Sequence, residues 1–197
     1  MDGHGAALTG ITEDLKNKIL WSCPSLTAPI LEELHMDNSS VMLAMTDYFA
    51  GDIKRINHFI KVHGFAMAIG KSEGLDERTL DILEVTAYTH DIGIKISEEK
   101  YNSSSGYYQQ IEGPAEAHKL LKPLGYDDEF IERVKYLISR HHRYNNIDGM
   151  DCQILIEADF IVNVYEDEVK PETVKDIYEK IFKTESGKRI MRDLYMN

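Results

Sequence analysis

The chain has 197 residues and a formal net charge of −12, with 34 acidic against 22 basic side chains. This length suits one domain with terminal additions, and the apolar and charged content is that of an ordinary soluble globular protein. A protein that binds duplex nucleic acid normally carries a basic stripe, which this acidic sequence lacks. The apolar runs are too short to span a bilayer. We therefore expect neither duplex nucleic acid nor a membrane as a partner.

Cysteine content and the first residues bear on the compartment. Cys23 and Cys152 are the two cysteines, so neither a disulfide framework nor a four-cysteine zinc site can form. The opening stretch MDGHGAALTG lacks the basic region and apolar core of a secretory signal. A cytoplasmic location is the resulting expectation.

The hydrophobic pattern predicts helix after helix, with almost no strand-like alternation, and hence an all-α fold. Gly93 is predicted to stop the helix over 76–91. Residues 92–113, rich in Ser, Gly and Tyr, predict a long loop, and Pro114 is predicted to open the next helix. The predicted helices cover 25–36, 38–49, 52–70, 76–91, 114–125, 127–144, 150–168, 172–182 and 184–195.

Three histidines lie on apolar faces of separate predicted helices, because residues spaced i, i+3 or i+4 and i+7 share one helical face. Asp91 and His142 each lie one step around the helix from one of them. The three histidines with their apolar neighbours are His58 with Val62, Phe65 and Ile69; His90 with Leu80, Leu83 and Ala87; and His141 with Phe130, Val134 and Leu137.

A buried polar group is costly unless it is paired, and a single inward histidine is more often a hydrogen-bonded core residue than a ligand. Three such histidines with a neighbouring aspartate favour one shared partner, a divalent cation. The helix over 150–168 should add a carboxylate. Asp159 and Glu157 lie at opposite edges of its apolar face, and periodicity leaves both open.

These motifs resemble those of the HD-domain phosphohydrolase superfamily. The resemblance covers roughly residues 50–168 and implies an all-α, HD-domain helical bundle. Residues 1–49 would then form a leader with accessory helices, and residues 169–197 a C-terminal helical extension. The motifs are RINHFIKV with His58, YTHDIG with His90 and Asp91, SRHHRY with His141 and His142, and LIEADFIVN with Asp159.

The resemblance implies that four of these residues, His58, His90, Asp91 and Asp159, hold one metal. Binuclear relatives use two further histidines, one of which matches His141 or His142. The position of the other matches Glu112 in QQIEGPAEA, with His118 as a second candidate. Imidazole and carboxylate ligands suit Fe, Mn, Zn, Ni or Co, at one or two ions per chain.

The implied activity is hydrolysis of a phosphoester or phosphoanhydride in a small, nucleotide-type substrate by a metal-activated water. Asp91 would orient the water or bridge two metals, while Lys95 and Arg55 would neutralise phosphate charge. The alternatives are a catalytically silent metal-binding module that binds a nucleotide or protein partner, and an all-α protein whose internal histidines are satisfied by hydrogen bonds. The terminal helices could pack on the core or on another subunit, as in a homodimer.

Overall fold

The computed structural model describes residues 38–197, and all of the regular structure within that range is helical. The predicted all-α fold is therefore confirmed, while the predicted helix over 25–36 lies outside the described residues. The helices are α1 (Ser39–Tyr48), α2 (Ile53–Ser72), α3 (Glu77–Thr89), α4 (Gly93–Tyr101), α5 (Gly106–Leu121), a 3-10 helix (Lys122–Leu124), α6 (Asp128–Ile138), α7 (Met150–Glu166), α8 (Pro171–Ile181) and α9 (Glu185–Tyr195).

Aspartate side chains set the beginnings of three helices that position the site. Asp52, Asp76 and Asp127 precede α2, α3 and α6, and each accepts a backbone N–H from three residues further on, at 2.8–3.1 Å. An N-cap of this kind satisfies one of the unpaired donors of the first turn. These starts agree to within a residue or two with the predicted helices.

The predicted loop over 92–113 is wrong, because α4 and the first half of α5 occupy it. Gly93 begins α4 instead of stopping α3, and Pro114 lies inside α5 instead of opening it. A Cβ placed on Gly93 would lie 2.8 Å from the carbonyl oxygen of Gln109 and 2.9 Å from the amide nitrogen of Gly113. The glycines that suggested a loop thus let two helices pack backbone against backbone.

The helix α7 is the centre of the apolar core, and nearly every residue from Asp151 to Val164 is buried. On one side α2 and α3 pack against it, and on another α8 and α9 contribute Val174, Phe182 and Met191 to the same core. A second apolar cluster joins α1, α3, α5 and α6. Within residues 38–197, no helix has both the length and the apolar character that a membrane span requires. The division of the chain at residues 49 and 168 remains a prediction.

Candidate metal centre

Four donor atoms meet where α2, α7 and the end of α3 come together. The Nε2 atoms of His58 and His90 are 3.2 Å apart, and they lie 3.3 and 3.6 Å from Oδ1 of Asp159. Oδ2 of Asp91 lies 3.6 Å from each of the same two nitrogens. His58 is 7% exposed and His90 is fully buried. Asp91 therefore joins three largely buried ligand candidates, and the structure brings together the set that the resemblance implies.

Hydrogen bonds at the far side of each ring determine which nitrogen faces this cluster. Nδ1 of His90 lies 2.9 Å from the carbonyl oxygen of Ala87, and Nδ1 of His58 lies 2.9 Å from Oε2 of Glu166. Both partners can only accept, so each Nδ1 carries the hydrogen and donates. Without a proton or a metal ion between them, the two Nε2 lone pairs would face one another across 3.2 Å, beside two carboxylates.

Such a group of acceptors requires a cation. Ligands that share one ion at bond lengths of about 2.1 Å lie about 3.0–3.5 Å from one another, which is close to the separations seen here. The donor set of two imidazoles and two carboxylates, without thiolate, suits a divalent transition metal. His58, His90, Asp91 and Asp159 are therefore chemically and geometrically fit to hold one.

A second cluster adjoins the first and consists of Asp91, His141 and His142. The Nδ1 atom of His141 donates to the carbonyl oxygen of Ile138 at 2.8 Å, and its Nε2 atom points 3.6 Å from Oδ1 of Asp91. That nitrogen is buried without a hydrogen-bond partner. Since an unpaired buried acceptor is costly, this lone pair also fits a cation. Asp91 offers a different oxygen to each cluster.

The electrostatics of the centre favour positive charge. Burial by itself lowers the pKa of His90, but the charges of Asp91 and Asp159 outweigh burial and raise this pKa to about 9. The pKa of His58 is also raised, since burial is outweighed by its hydrogen bond with Asp159 and by the same two carboxylates. Burial opposes ionisation of the aspartates, yet the adjacent histidines hold both carboxyl pKa values well below the usual range. The carboxylates are ionised at neutral pH and attract a proton or a metal ion.

Glu166 supports the candidate metal centre from behind His58, and sequence reasoning missed it. Burial raises the pKa of Glu166, but hydrogen bonds from Lys61 and His58 outweigh burial and lower this pKa below its ordinary value. The carboxylate is therefore ionised and accepts from both residues. A carboxylate behind a metal-binding histidine fixes the ring and increases the basicity of the ligating nitrogen. The available signal was its position two helical turns after Asp159 on α7.

The structure separates the two carboxylates that periodicity left open. Glu157 is fully buried, but it accepts the backbone N–H groups of Lys183 at 2.6 Å and Thr184 at 3.0 Å. It therefore ties the junction between α8 and α9 to α7. Asp159 faces the histidines instead and is held by the amide of Asn163 at 2.9 Å.

The residues proposed for a second metal beyond the histidine pair lie elsewhere. Glu112 accepts from Lys100 Nζ and from Tyr101 Oη, each at 2.6 Å, and neither it nor His118 belongs to a ligand cluster among the described residues. Gln109, one turn earlier on α5, is the residue that contacts His142, with its Oε1 at 3.2 Å from Nε2. Burial, followed by the charge of nearby His141, lowers the pKa of His142 to about 4, so its ring is neutral.

The two predicted phosphate contacts, Arg55 and Lys95, have partners of their own. Arg55 forms ion pairs with Asp52 at 2.9 Å and with Glu98 at 2.6 Å. Lys95 is exposed and donates to the carbonyl oxygen of Tyr48 at 3.0 Å. Its Nζ atom lies 5.0 Å from the centre of the Tyr48 ring. Neither side chain belongs to the two ligand clusters.

Comparison with known proteins agrees with this geometry. The family model described as the HD domain matches residues 55–184, more than half of the chain. No curated protein matches. A solved structure of a predicted HD superfamily hydrolase from an uncultured Thermotogales bacterium is similar in fold, with a TM-score of 0.59 at 20% sequence identity, over 80% of this chain and 84% of that one. The matched segment contains both histidine–aspartate clusters, and the chain belongs to the HD domain family.

Proposed function

We propose that the protein is a metal-dependent phosphohydrolase that cleaves a phosphoester or phosphoanhydride bond in a small, nucleotide-type substrate. The observation that carries the proposal is the contact between the Nε2 atoms of His58 and His90, which face each other at 3.2 Å beside two ionised aspartates. In the metal-free protein the raised pKa of His90 places a proton on its Nε2 atom in this contact, and a divalent cation would replace that proton and satisfy all four acceptors. Membership of the HD family supports hydrolysis as the chemistry of that cation.

The chain's own side chains would hold and orient the reacting groups. A bound divalent transition metal would polarise a phosphoryl oxygen of the substrate and lower the pKa of a water molecule. His58, His90 and Asp159 would hold it, and Asp91 would present one carboxylate oxygen to this ion and the other toward His141. Glu166 and the carbonyl of Ala87 keep the ring nitrogens that face the cluster unprotonated while the ion is bound.

Binding of an anionic substrate to an acidic protein needs local positive charge. Arg55 has a side chain 28% exposed, and its partner Glu98 is 42% exposed. Ion pairs with this degree of exposure contribute about 0–1 kcal/mol, so exchanging Glu98 for a substrate phosphate is inexpensive in free energy. Lys95 is exposed, and the partners that hold it are a neutral carbonyl and the Tyr48 ring. We therefore retain both as proposed phosphate contacts.

An aromatic ring beside the centre supports a nucleotide-type substrate. Tyr144 is 43% exposed and packs 5.1 Å from the ring of Phe160, measured between centroids. Burial, with the charge of Asp159 as the second cause, raises the pKa of its phenol. Tyr144 follows His142 by two residues, and the exposed part of its ring could stack on a base.

A catalytically silent HD module is the second candidate, and one observation favours it. Within the described part of the chain, both predicted phosphate contacts already have protein partners. A module of this kind would bind metal and a nucleotide or a protein without turnover.

Metal content and turnover separate the possibilities. The wild-type protein, purified without chelator or a metal-affinity column, is expected to contain at least one equivalent of transition metal and to release phosphate from members of a panel of nucleoside mono- and triphosphates. Asp159→Asn should lose both properties, whereas His118→Ala, which removes a histidine outside the clusters, should keep both. Metal binding without turnover on any substrate would establish the silent module. No uptake of manganese, iron or zinc would contradict both readings.

A further inference from the structure

The surroundings of His142 differ from those of the other clustered histidines. Its Nε2 atom lies 3.2 Å from Oε1 of Gln109, a residue only 5% exposed. The amide nitrogen of Gln109 in turn donates to the backbone carbonyl of Ser104 at 2.8 Å. A chain of three groups therefore runs from the start of α5 to the imidazole of His142.

This chain determines the position of a hydrogen. The carbonyl oxygen of Ser104 can only accept, so the amide nitrogen of Gln109 must face it and the amide oxygen must face His142. That amide oxygen is also an acceptor, and the ring nitrogen opposite must then carry the hydrogen. His142 is held as the tautomer protonated at Nε2, which leaves the lone pair on Nδ1.

Two other histidines of the clusters have the opposite arrangement of ring nitrogens. His90 and His141 each donate Nδ1–H to a backbone carbonyl, at 2.9 and 2.8 Å, and direct Nε2 toward the aspartates. The neighbouring histidines His141 and His142, although adjacent in sequence, therefore offer different ring nitrogens.

A glycine holds the ring in this orientation. A Cβ placed on Gly106 would lie 2.5 Å from Cδ2, 2.8 Å from Cγ and 3.0 Å from Nε2 of His142, so any larger residue would displace the ring. Gly106 and Gln109 lie one turn apart on α5, where Gly106 lies against the Cγ–Cδ2 side of the ring and Gln109 contacts Nε2. Because Gln109 engages Nε2, Nδ1 is the ring nitrogen that remains for the cluster with Asp91 and His141.

We propose that Gln109 is a positioning residue that holds His142 as the Nε2–H tautomer, so that a cation in the second cluster would be bound through Nδ1 of His142, Nε2 of His141 and Oδ1 of Asp91. The part concerning the cation rests on the proposed function. The tautomer itself does not, because it follows from hydrogen bonds within the protein.

The tautomer can be measured in the metal-free protein by long-range ¹H–¹⁵N NMR of labelled histidines at about pH 8, above the ordinary imidazole pKa. We expect His142 to be protonated at Nε2, and His141 at Nδ1 as an internal reference. Gln109→Glu keeps an acceptor opposite the ring and should preserve the tautomer, while Gln109→Leu should abolish the preference. The matched control is Gln110→Leu, which removes the neighbouring glutamine that accepts from Arg143 at 2.6 Å. An Nδ1–H tautomer of His142 in the wild type would overturn the proposal, even if Gln109→Leu does not fold.

Calorimetric titration of the metal-free protein with zinc gives the second readout. Loss of a supporting hydrogen bond behind a ligand typically weakens metal binding about 10–100-fold, so Gln109→Leu should weaken the second ion by that factor and leave the first unchanged. Equal weakening at both sites, or at neither, would contradict a positioning role. If the wild-type protein binds no zinc but His142 shows the Nε2–H tautomer, the proposed function fails while the hydrogen-bond assignment stands.

Discussion

Replacing Glu166 by Gln tests whether the cluster is a metal centre supported from behind. The carboxylate accepts Nδ1–H of His58 at 2.9 Å, and its side chain is 11% exposed. Gln keeps the shape and an acceptor oxygen but removes the charge. A hydrogen bond to a charged group is worth about 1.5–3 kcal/mol against about 1 kcal/mol for a neutral one. The difference of about 0.5–2 kcal/mol predicts a metal affinity about 2–30-fold weaker than that of the wild type.

The assay is competition for zinc against a fluorescent chelator at neutral pH. Glu168→Gln is the matched control, because it makes the same change at an exposed position two residues further on and should leave the affinity unchanged. If Glu166→Gln binds zinc as tightly as the wild type, the carboxylate does not support His58 and the reasoning is refuted.

Three further predictions concern pH, packing and substrate binding. Because the folded-state pKa of His90, about 9, lies above its ordinary 6.5, the stability from this group is complete at low pH and is lost as pH rises between these values. Metal-free protein should therefore lose up to about 3 kcal/mol of unfolding free energy between about pH 6 and about pH 10 in urea titrations, and a flat profile would contradict this. Gly93→Ala should destabilise the folded protein by about 1–3 kcal/mol, because its Cβ would meet backbone at 2.8 Å. Gly64→Ala, whose Cβ would have nothing within 4 Å, should stabilise the protein by about 0.5–1 kcal/mol. Equal effects of the two substitutions in thermal unfolding would refute the close contact between α4 and α5. Arg55→Ala should raise KM about tenfold with less effect on kcat, while the exposed control Lys54→Ala should change neither, and an unchanged KM would exclude Arg55 from the phosphate site.

Local sequence information was sufficient for much of the fold and for the main site candidates. The starts of α2, α3 and α6 depend on capping aspartates in the same stretch of sequence, and the inward direction of His58, His90 and His141 was predicted from their spacing to apolar residues, although α6 ends at Ile138, before His141. These are properties of single helices, so they can be inferred before the helices are placed in space. Asp91 was singled out beside His90 by the same pattern, and the family resemblance then favoured Asp159 over Glu157.

The remaining features depended on contacts between segments that are distant in the chain. Gly93 and Gly113 allow α4 and α5 to touch, a contact that composition alone cannot show. Glu157, a ligand candidate that periodicity left open, instead fixes the junction of α8 and α9. Glu166, which the sequence did not single out, supports His58 from 108 residues away. Periodicity states which way a side chain points on its own helix, but not which partner lies opposite. Only tertiary packing determined that partner, and with it the protonation of each ring nitrogen at the candidate centre.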